Sequence, residues 1–501
     1  MKTNRVIIIA LVVLLVAGGA YYLFQGKNVD NSRVINIAIE TDPDSFDPNQ
    51  SVAAATVEIA FNIYEGLVKA TADGNVVGAL ATHWEVDETE TVYTFYLREA
   101  IFHNGQPLTV EDVVNALERV RDPQIAQGKA DEYQVIESIT PLDENTIQIK
   151  LSQPYGPFLF NLADFAASIY PKDATGLDAN PIGTGPYKFE EWRANQYVKL
   201  VRFDDHWSGE QPHFEEVYFK IIPEMASAVI SLKAGHVDLI PRLDPSFHHQ
   251  VVDEEDLKVI PGPMNLVQII ALNNSRPPFN DPRVRQALAL AIDKQEVITG
   301  AAWGLGDPLY SAISPAMATF FNEELAEVNA YDPERAKALL EEAGYSNLSF
   351  TFELPAPYPL HVNAGEIVAQ QWAKIGVDVE IRIVEWGTWL ERIYSQRDYD
   401  ATIVGLAGRM DPHLILVRYQ TNSSRNFFNF KNERYDELIA QGLVTSGEER
   451  IAIYHEAQEI LAKEVAGVFV MDPNQLAVMQ KDIQGWLNYP IYVVDVAKLS
   501  R

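Results

Sequence analysis

Between Ser349 and Arg418 the hydrophobic periodicity switches back and forth, and that alternation restricts the fold more than any other stretch. SFTFEL (349–354) reads as a strand, GEIVAQQWAKIG (365–376) as a helix and VDVEIRIVEW (377–386) as a second strand. Ala401, Thr402, Ile403 and Val404 then form a third, β-favouring run. Strand, helix and strand in this order predict parallel pairing through a crossover helix, and so an α/β fold. The third run leads through Gly405 and Gly408, where backbone can approach a ligand with no Cβ in the way. Arg409 follows, a fixed cation with five donors on a planar fork. Asp411-Pro412 then opens a helix, Asp as N-cap and Pro at the first helical position. A strand end, open backbone, a charged fork and a helix start suit a small-molecule cleft. They also describe an ordinary strand-turn-helix with a surface arginine.

Size and charge narrow the function. A chain of 501 residues holds material for about three domains. Its 47% hydrophobic and 22% charged residues are an ordinary globular composition. A net charge of −31 excludes nucleic acid as a partner, because no basic patch could dominate that field. The acidity would fit salty or alkaline surroundings, but many exported proteins are acidic without them, which favours the ordinary reading. The absence of cysteine excludes disulfides, thiol catalysis, zinc-thiolate sites and lipid attachment to an N-terminal cysteine. Lys2 and Arg5 precede an uncharged run, Val6 to Phe24, that would reach about 28 Å as a helix. The basic flank places the N-terminus in the cytoplasm and the rest of the chain outside. Gly18-Gly19-Ala20 offers a signal-peptidase site, but Tyr21 to Phe24 continue the apolar run, which favours an uncleaved anchor over a signal peptide.

From there the chain reads as strands and capped helices. VINIAIE (34–40) is a strand, followed by a helix-like run through Phe61, Ile63, Tyr64 and Leu67. In TVYTFYLR, Tyr93, Phe95 and Leu97 alternate with Thr94, Tyr96 and Arg98. Thr109 starts a helix, TIQIKL ends a strand near Leu151, and PIGTGPYKF (181–189) turns into another strand. Asp281-Pro282 opens one helix through PRVRQALALAIDKQEVI, and Asp332-Pro333 opens a second that Gly344 closes with a left-handed cap. His248 and His249 would point apart on a strand and show no metal spacing. No HExxH, no G-x-S-x-G and no phosphate loop is present; Gly183-Thr184-Gly185 lacks the lysine and the longer spacing. No catalytic residue, cofactor or metal site is expected.

Five long motifs carry a resemblance. They are LATHWEVDETETVYTFYLREAIFHNGQPLTVEDVVNAL, NPIGTGPYKFEEW, LNNSRPPFNDPRVRQALALAID, YDPERAKALLEEAGY and AQQWAKIGVDVEIRIVEW. In this order they resemble the family 5 solute-binding proteins of ABC importers, the oligopeptide, dipeptide and nickel binding group. The resemblance runs from about Val34 nearly to the C-terminus. It implies an α/β periplasmic-binding-protein fold of class II, with two lobes, an inserted third domain and a ligand enclosed between the lobes. The expected divisions are 1–29 for the signal or anchor; 33–75, 181–268 and 480–501 for lobe I; 76–180 for the inserted domain; and 269–479 for lobe II. Implied partners are a small-molecule or peptide ligand and the permease with its separate ATPases. The protein is expected to be monomeric, extracytoplasmic in the periplasm or at the cell surface, and tethered by its N-terminal helix. The alternatives are a clamshell receptor for a membrane signalling partner and a binder of a metal chelate or opine-like solute.

The same resemblance implies the site residue by residue. Peptide-binding members receive the ligand's amino terminus on an aspartate just before the DP pair, where this chain has Arg409. Dipeptide binders hold the ligand carboxylate with an arginine where this chain has Ala356, although Tyr358 is kept. Trp386 matches a pocket tryptophan, and Leu406, beside Ala407, replaces another in the glycine loop. Gln50 and Ser51 follow the first strand at the ligand edge. Nickel binders share Asp411-Pro412-His413, but their downstream histidine falls near Ser424 here. Expected ligand contacts are therefore Gln50, Ser51, Tyr358, Trp386, Leu406, Ala407 and Arg409. Each has a duller alternative: Trp386 in the core, Tyr358 as a turn plug, Asp411 as a cap, Arg409 paired with an acid across the cleft.

Overall fold

The computed structural model describes residues 31–501 apart from Val52, Gln127 and Pro357. The run Val6–Phe24 lies outside the described residues, and among those described no helix is long and apolar enough to cross a membrane. Strands Leu348–Pro355 and Val377–Val384 pair in parallel, and Leu348–Pro355 pairs in parallel with Ala401–Ala407 on its other side. The β-α-β alternation is thus realised, with helix Pro359–Lys374 as the crossover. These strands belong to a twelve-stranded mixed sheet. The other end of that sheet holds Val34–Ile39, Glu216–Ile221, Tyr197–Arg202 and Tyr187–Arg193.

One long strand, Val468–Gln480, joins the two ends. Its beginning pairs with Leu266–Leu272, and its end pairs with Leu257–Pro263 and Leu239–Leu243. The chain therefore crosses twice between two α/β halves, at 263–266 and at 472–476. Asp472 pins the crossings together. Fully buried, it accepts backbone N–H bonds from Met264 (3.1 Å), Asn265 (3.0 Å) and Leu266 (3.2 Å), and the Ser314 hydroxyl. Burial nevertheless pushes its carboxyl up to about 6. Each half has its own core. Ile37, Phe219 and Leu239 lie in one, and Phe352, Trp372 and Ile403 in the other. A separate four-stranded antiparallel sheet, spanning 81–151, carries helix Val110–Arg121. Tyr93, Phe95 and Leu97 are buried there, as the alternation predicts.

Four local expectations fail for tertiary reasons. The early helix is Ala54–Ala60, and Phe61 to Leu67 follow outside it. The carbonyls of Asn62 and Ile63 accept from Tyr187 and Gly185 (3.0 and 2.9 Å), and Asn62 Nδ2 donates to the Val494 carbonyl (2.8 Å). The helix at Asp281-Pro282 breaks into Pro282–Leu290 and Lys294–Ala302, because Asp293 accepts from Glu296 N as a new cap. The helix expected from Gly365 begins at Pro359, and Gly365 leaves room for Leu354 beneath it. His248 and His249 sit in the 3-10 turn Pro245–Gln250, capped by Asp244, and not on a strand. Gly344 does take the left-handed conformation, φ +89°.

Candidate functional site

A cavity of about 760 Å³ opens where the two halves and the four-stranded unit meet. One wall is the carboxyl end of strand Ala401–Ala407, continued by Gly408, Arg409, Met410 and Asp411. The Met264–Asn265 crossing forms its floor beside this wall. Glu132 and Phe160–Phe165 face it, together with Tyr64, Glu65 and Trp207. The C-terminal segment 490–498 and the helix Ala54–Ala60 add further lining.

The two glycines do not offer bare backbone to a ligand. A Cβ on Gly405 would come within 2.8 Å of Leu266 Cδ2 and 2.9 Å of His361 Nε2, and one on Gly408 would overlap Asn265. They make room for the protein's own side chains. Gly408 N donates to the Asn265 carbonyl (2.7 Å), and Asn265 itself sits at φ +56°. His361 is buried against Gln268, whose Nε2 lies 2.8 Å from His361 Nδ1, and burial pushes its pKa down to about 4. It is neutral at pH 7.

Asp411 has two tasks. Its Oδ1 accepts from His413 N (2.8 Å), the cap expected at the helix start. Both oxygens also take the Arg450 guanidinium, at 2.7 and 2.8 Å, in a pair whose side chains are 0% and 5% exposed. Arg409, two residues earlier, is exposed. Its carbonyl accepts from Asn265 Nδ2 (3.4 Å), and among the described residues its guanidinium forms no ion pair. Across the gap stands Glu132, half-buried: burial raises its pKa, and the Arg409 charge pulls it back.

Of the expected contacts, Ala407 and Arg409 line the cavity and the other five do not. Tyr358 and Trp386 stand just past the carboxyl ends of strands Leu348–Pro355 and Val377–Val384, the same sheet edge that ends in Ala407. Their rings meet edge to face at 5.1 Å, and Trp386 stacks on Trp389 at 4.9 Å. Ile381 and Ile383 are exposed, so they do not bury Trp386 in a core. Leu406 is half-buried in the same cluster. Gln50 is exposed, while Ser51 is buried with its hydroxyl donating to Asp44 Oδ1 (2.7 Å).

Sequence reasoning missed the opposite wall. Glu65 accepts from Trp207 Nε1 (2.6 Å) and Thr184 Oγ1 (3.0 Å), and the Arg98 guanidinium lies over the Trp207 ring, 3.6 Å from its centre. These residues come from separate segments, with no local spacing to reveal them. Among the described residues no group of three His, Cys, Asp or Glu side chains could hold a metal ion.

The family model for bacterial extracellular solute-binding proteins, family 5, matches residues 75–427. A dipeptide-binding protein of Escherichia coli is 26% identical over 494 residues, covering 90% of this chain and 91% of that one. The structure of HbpA2 from Haemophilus parasuis superposes with a TM-score of 0.83 at 26% identity, covering 93% of this chain and 99% of that one. AgaA from A. tumefaciens, in complex with agropinic acid, gives 0.71 at 27% identity, covering 92% and 96%.

Proposed function

The chain belongs to the bacterial extracellular solute-binding proteins of family 5, and on that premise we propose that it captures an anionic or peptide-like small solute between two lobes for the permease of an ABC importer. The lobes are taken as 33–75, 181–268 and 480–501 against 269–479, with 76–180 inserted. The observation that carries this reading is Arg409, a cation without an ion-pair partner among the described residues, on the wall of the interlobe cavity. A volume of about 760 Å³ suits a solute of drug or short-peptide size. A free amino terminus would be repelled by Arg409, whereas a carboxylate would gain two charge-assisted hydrogen bonds. AgaA binds agropinic acid, so a solute of opine-like chemistry is compatible with this fold. Tyr358, Trp386, Leu406 and Ala407 would form an aromatic and apolar edge that closure brings against the solute, with Gln50 and Ser51 on the rim. The protein acts as a binder and not as a catalyst in this reading.

The test is native mass spectrometry of protein purified without refolding, which should show an enclosed solute. Rebinding of that solute to stripped protein should lower the radius of gyration in small-angle scattering, because the lobes close on it. Tight binding with no compaction would count against the clamshell.

The extracytoplasmic chain is further proposed to stay tethered, as a monomer, by the run Val6–Phe24. Membranes washed with carbonate should retain it with its N-terminal residues intact. A soluble mature form beginning near Tyr21 would remove the tether and leave export untouched.

A further inference from the structure

Strand Leu266–Leu272 pairs antiparallel with Ala401–Ala407 as far as Leu266 against Ala407, and the next pair in that register is Asn265 with Gly408. There the ladder changes character. The Asn265 carbonyl still accepts from Gly408 N (2.7 Å), but its own N–H turns away to Asp472 Oδ2 (3.0 Å) on the other crossing. The turn needs φ +56°, a left-handed conformation that asparagine tolerates better than most residues. Where the backbone leaves for the first half, the side chain takes over as donor. Asn265 Nδ2 bonds the Arg409 carbonyl (3.4 Å) on the second-half loop and the Pro490 carbonyl (2.9 Å). Pro490 belongs with the first half: just beyond it the Val494 carbonyl accepts from Asn62 Nδ2 (2.8 Å), and Val494 lies in the same core as Ile37 and Leu239. Asn265 is 3% exposed, and it lines the cavity together with Gly408, Arg409 and Pro490.

We propose that Asn265 is a positioning residue for solute capture: its amide clamps the loop that carries Arg409 to the first half, so that the hinge, and not a free loop, sets where Arg409 meets the solute. This rests on the reading of the interlobe cavity as the solute site. Residues 263–266 form one of the two crossings about which closure would turn the halves. A clamp at that axis moves least as the halves turn, so it can hold the Arg409 peptide in open and closed forms alike. A guanidinium on a free loop would lose conformational entropy when it is fixed on a solute. Holding its backbone beforehand removes part of that cost. Gly408 serves the same clamp. Its missing Cβ leaves the space that the Asn265 amide fills, and its φ is not positive, so its own conformation does not demand glycine.

The ligand-free whole chain tests this, because the clamp exists before any solute arrives. Asn265→Gly keeps the left-handed backbone accessible and removes the amide. Hydrogen exchange in the segment 405–411 should become at least about tenfold faster than in the parent. Spin labels on Asp253→Cys and Asp378→Cys, exposed positions in the two halves of a chain without native cysteine, should report a broader interlobe distance distribution. Gly408→Ala should produce the same two changes, since its Cβ would push the amide off both carbonyls. The double variant should look like Asn265→Gly alone, because the three atoms nearest that Cβ all belong to the amide. Asn329→Gly, which removes another amide bonded to a carbonyl (Ala462, 2.7 Å), should leave both readouts unchanged. Exchange within about twofold of the parent in Asn265→Gly, with only a lower unfolding midpoint, would reduce the amide to a packing contact and overturn the proposal. Full additivity in the double variant would do the same. A solute that binds without compacting the protein would instead sink the clamshell reading, while these ligand-free results would stand.

Discussion

Arg450→Met should destabilise the second lobe by about 3–5 kcal/mol, because it strands the Asp411 carboxylate in the interior without its counter-charge. Asp411 is completely buried and keeps only the His413 N–H once the guanidinium is gone. Arg450 also donates from Nε to the Gly442 carbonyl (2.9 Å) and packs its guanidinium over the Tyr454 ring, 5.0 Å from its centre. The same guanidinium also seats the chain that leaves the four-stranded sheet. A Cβ on Gly156 would come within 2.6 Å of Arg450 Nε, and Gly156 N donates to the Leu443 carbonyl at 2.7 Å. The loss should appear as a lower midpoint in denaturant unfolding followed by fluorescence. Pairing Arg450→Met with Asp411→Asn should recover a large part of it, since removing both charges avoids the uncompensated burial. A single variant within about 1 kcal/mol of the parent would show that the pair contributes little.

That pair also marks where sequence reading stops. Asp411 before Pro412 is legible as a cap because capping is a local bond to the next turn. Arg450 lies in GEERIAIYHEAQEILAK, whose run of charges reads as a solvated helix face. Only the fold brings it to Asp411 from the other side of a lobe. Gly405 and Gly408 follow the same rule. Their lack of a side chain is visible in the sequence, but what fills the space, His361 and Asn265, arrives from other elements. The strands at 349–354, 377–384 and 401–404 were legible because their residues favour β structure and a crossover helix separates the first two. The helix expected through Phe61 to Leu67 failed because apolar spacing cannot report that Asn62 and Ile63 give their carbonyls to the 183–187 turn. Arg409 was legible because it stands out in the glycine loop, while the acid that faces it, Glu132, comes from a distant segment.

Arg409→Ala should weaken binding of the co-purified solute at least about tenfold and leave the ligand-free protein as stable as before. The two halves of that expectation have separate causes. Arg409 is exposed and, among the described residues, makes no side-chain ion pair, so removing it strands no buried partner and should change stability by no more than about 0.5 kcal/mol. In the loaded cleft its fork would meet a carboxylate or phosphate shut away from water, where truncating one partner costs about 2–5 kcal/mol, or roughly 30-fold to several thousand-fold in affinity. Arg409→Lys should recover little, because a point charge on a flexible stem cannot reproduce two parallel hydrogen bonds. Glu132→Gln supplies the opposing control. It removes the acid across the gap, so it should hold or improve affinity for an anionic solute if Arg409 contacts that solute. If Arg409→Ala lowers ligand-free stability, leaves affinity intact, and Glu132→Gln produces the same pattern, the two residues are a cross-cleft ion pair. The charge on Arg409 would then carry no information about the solute.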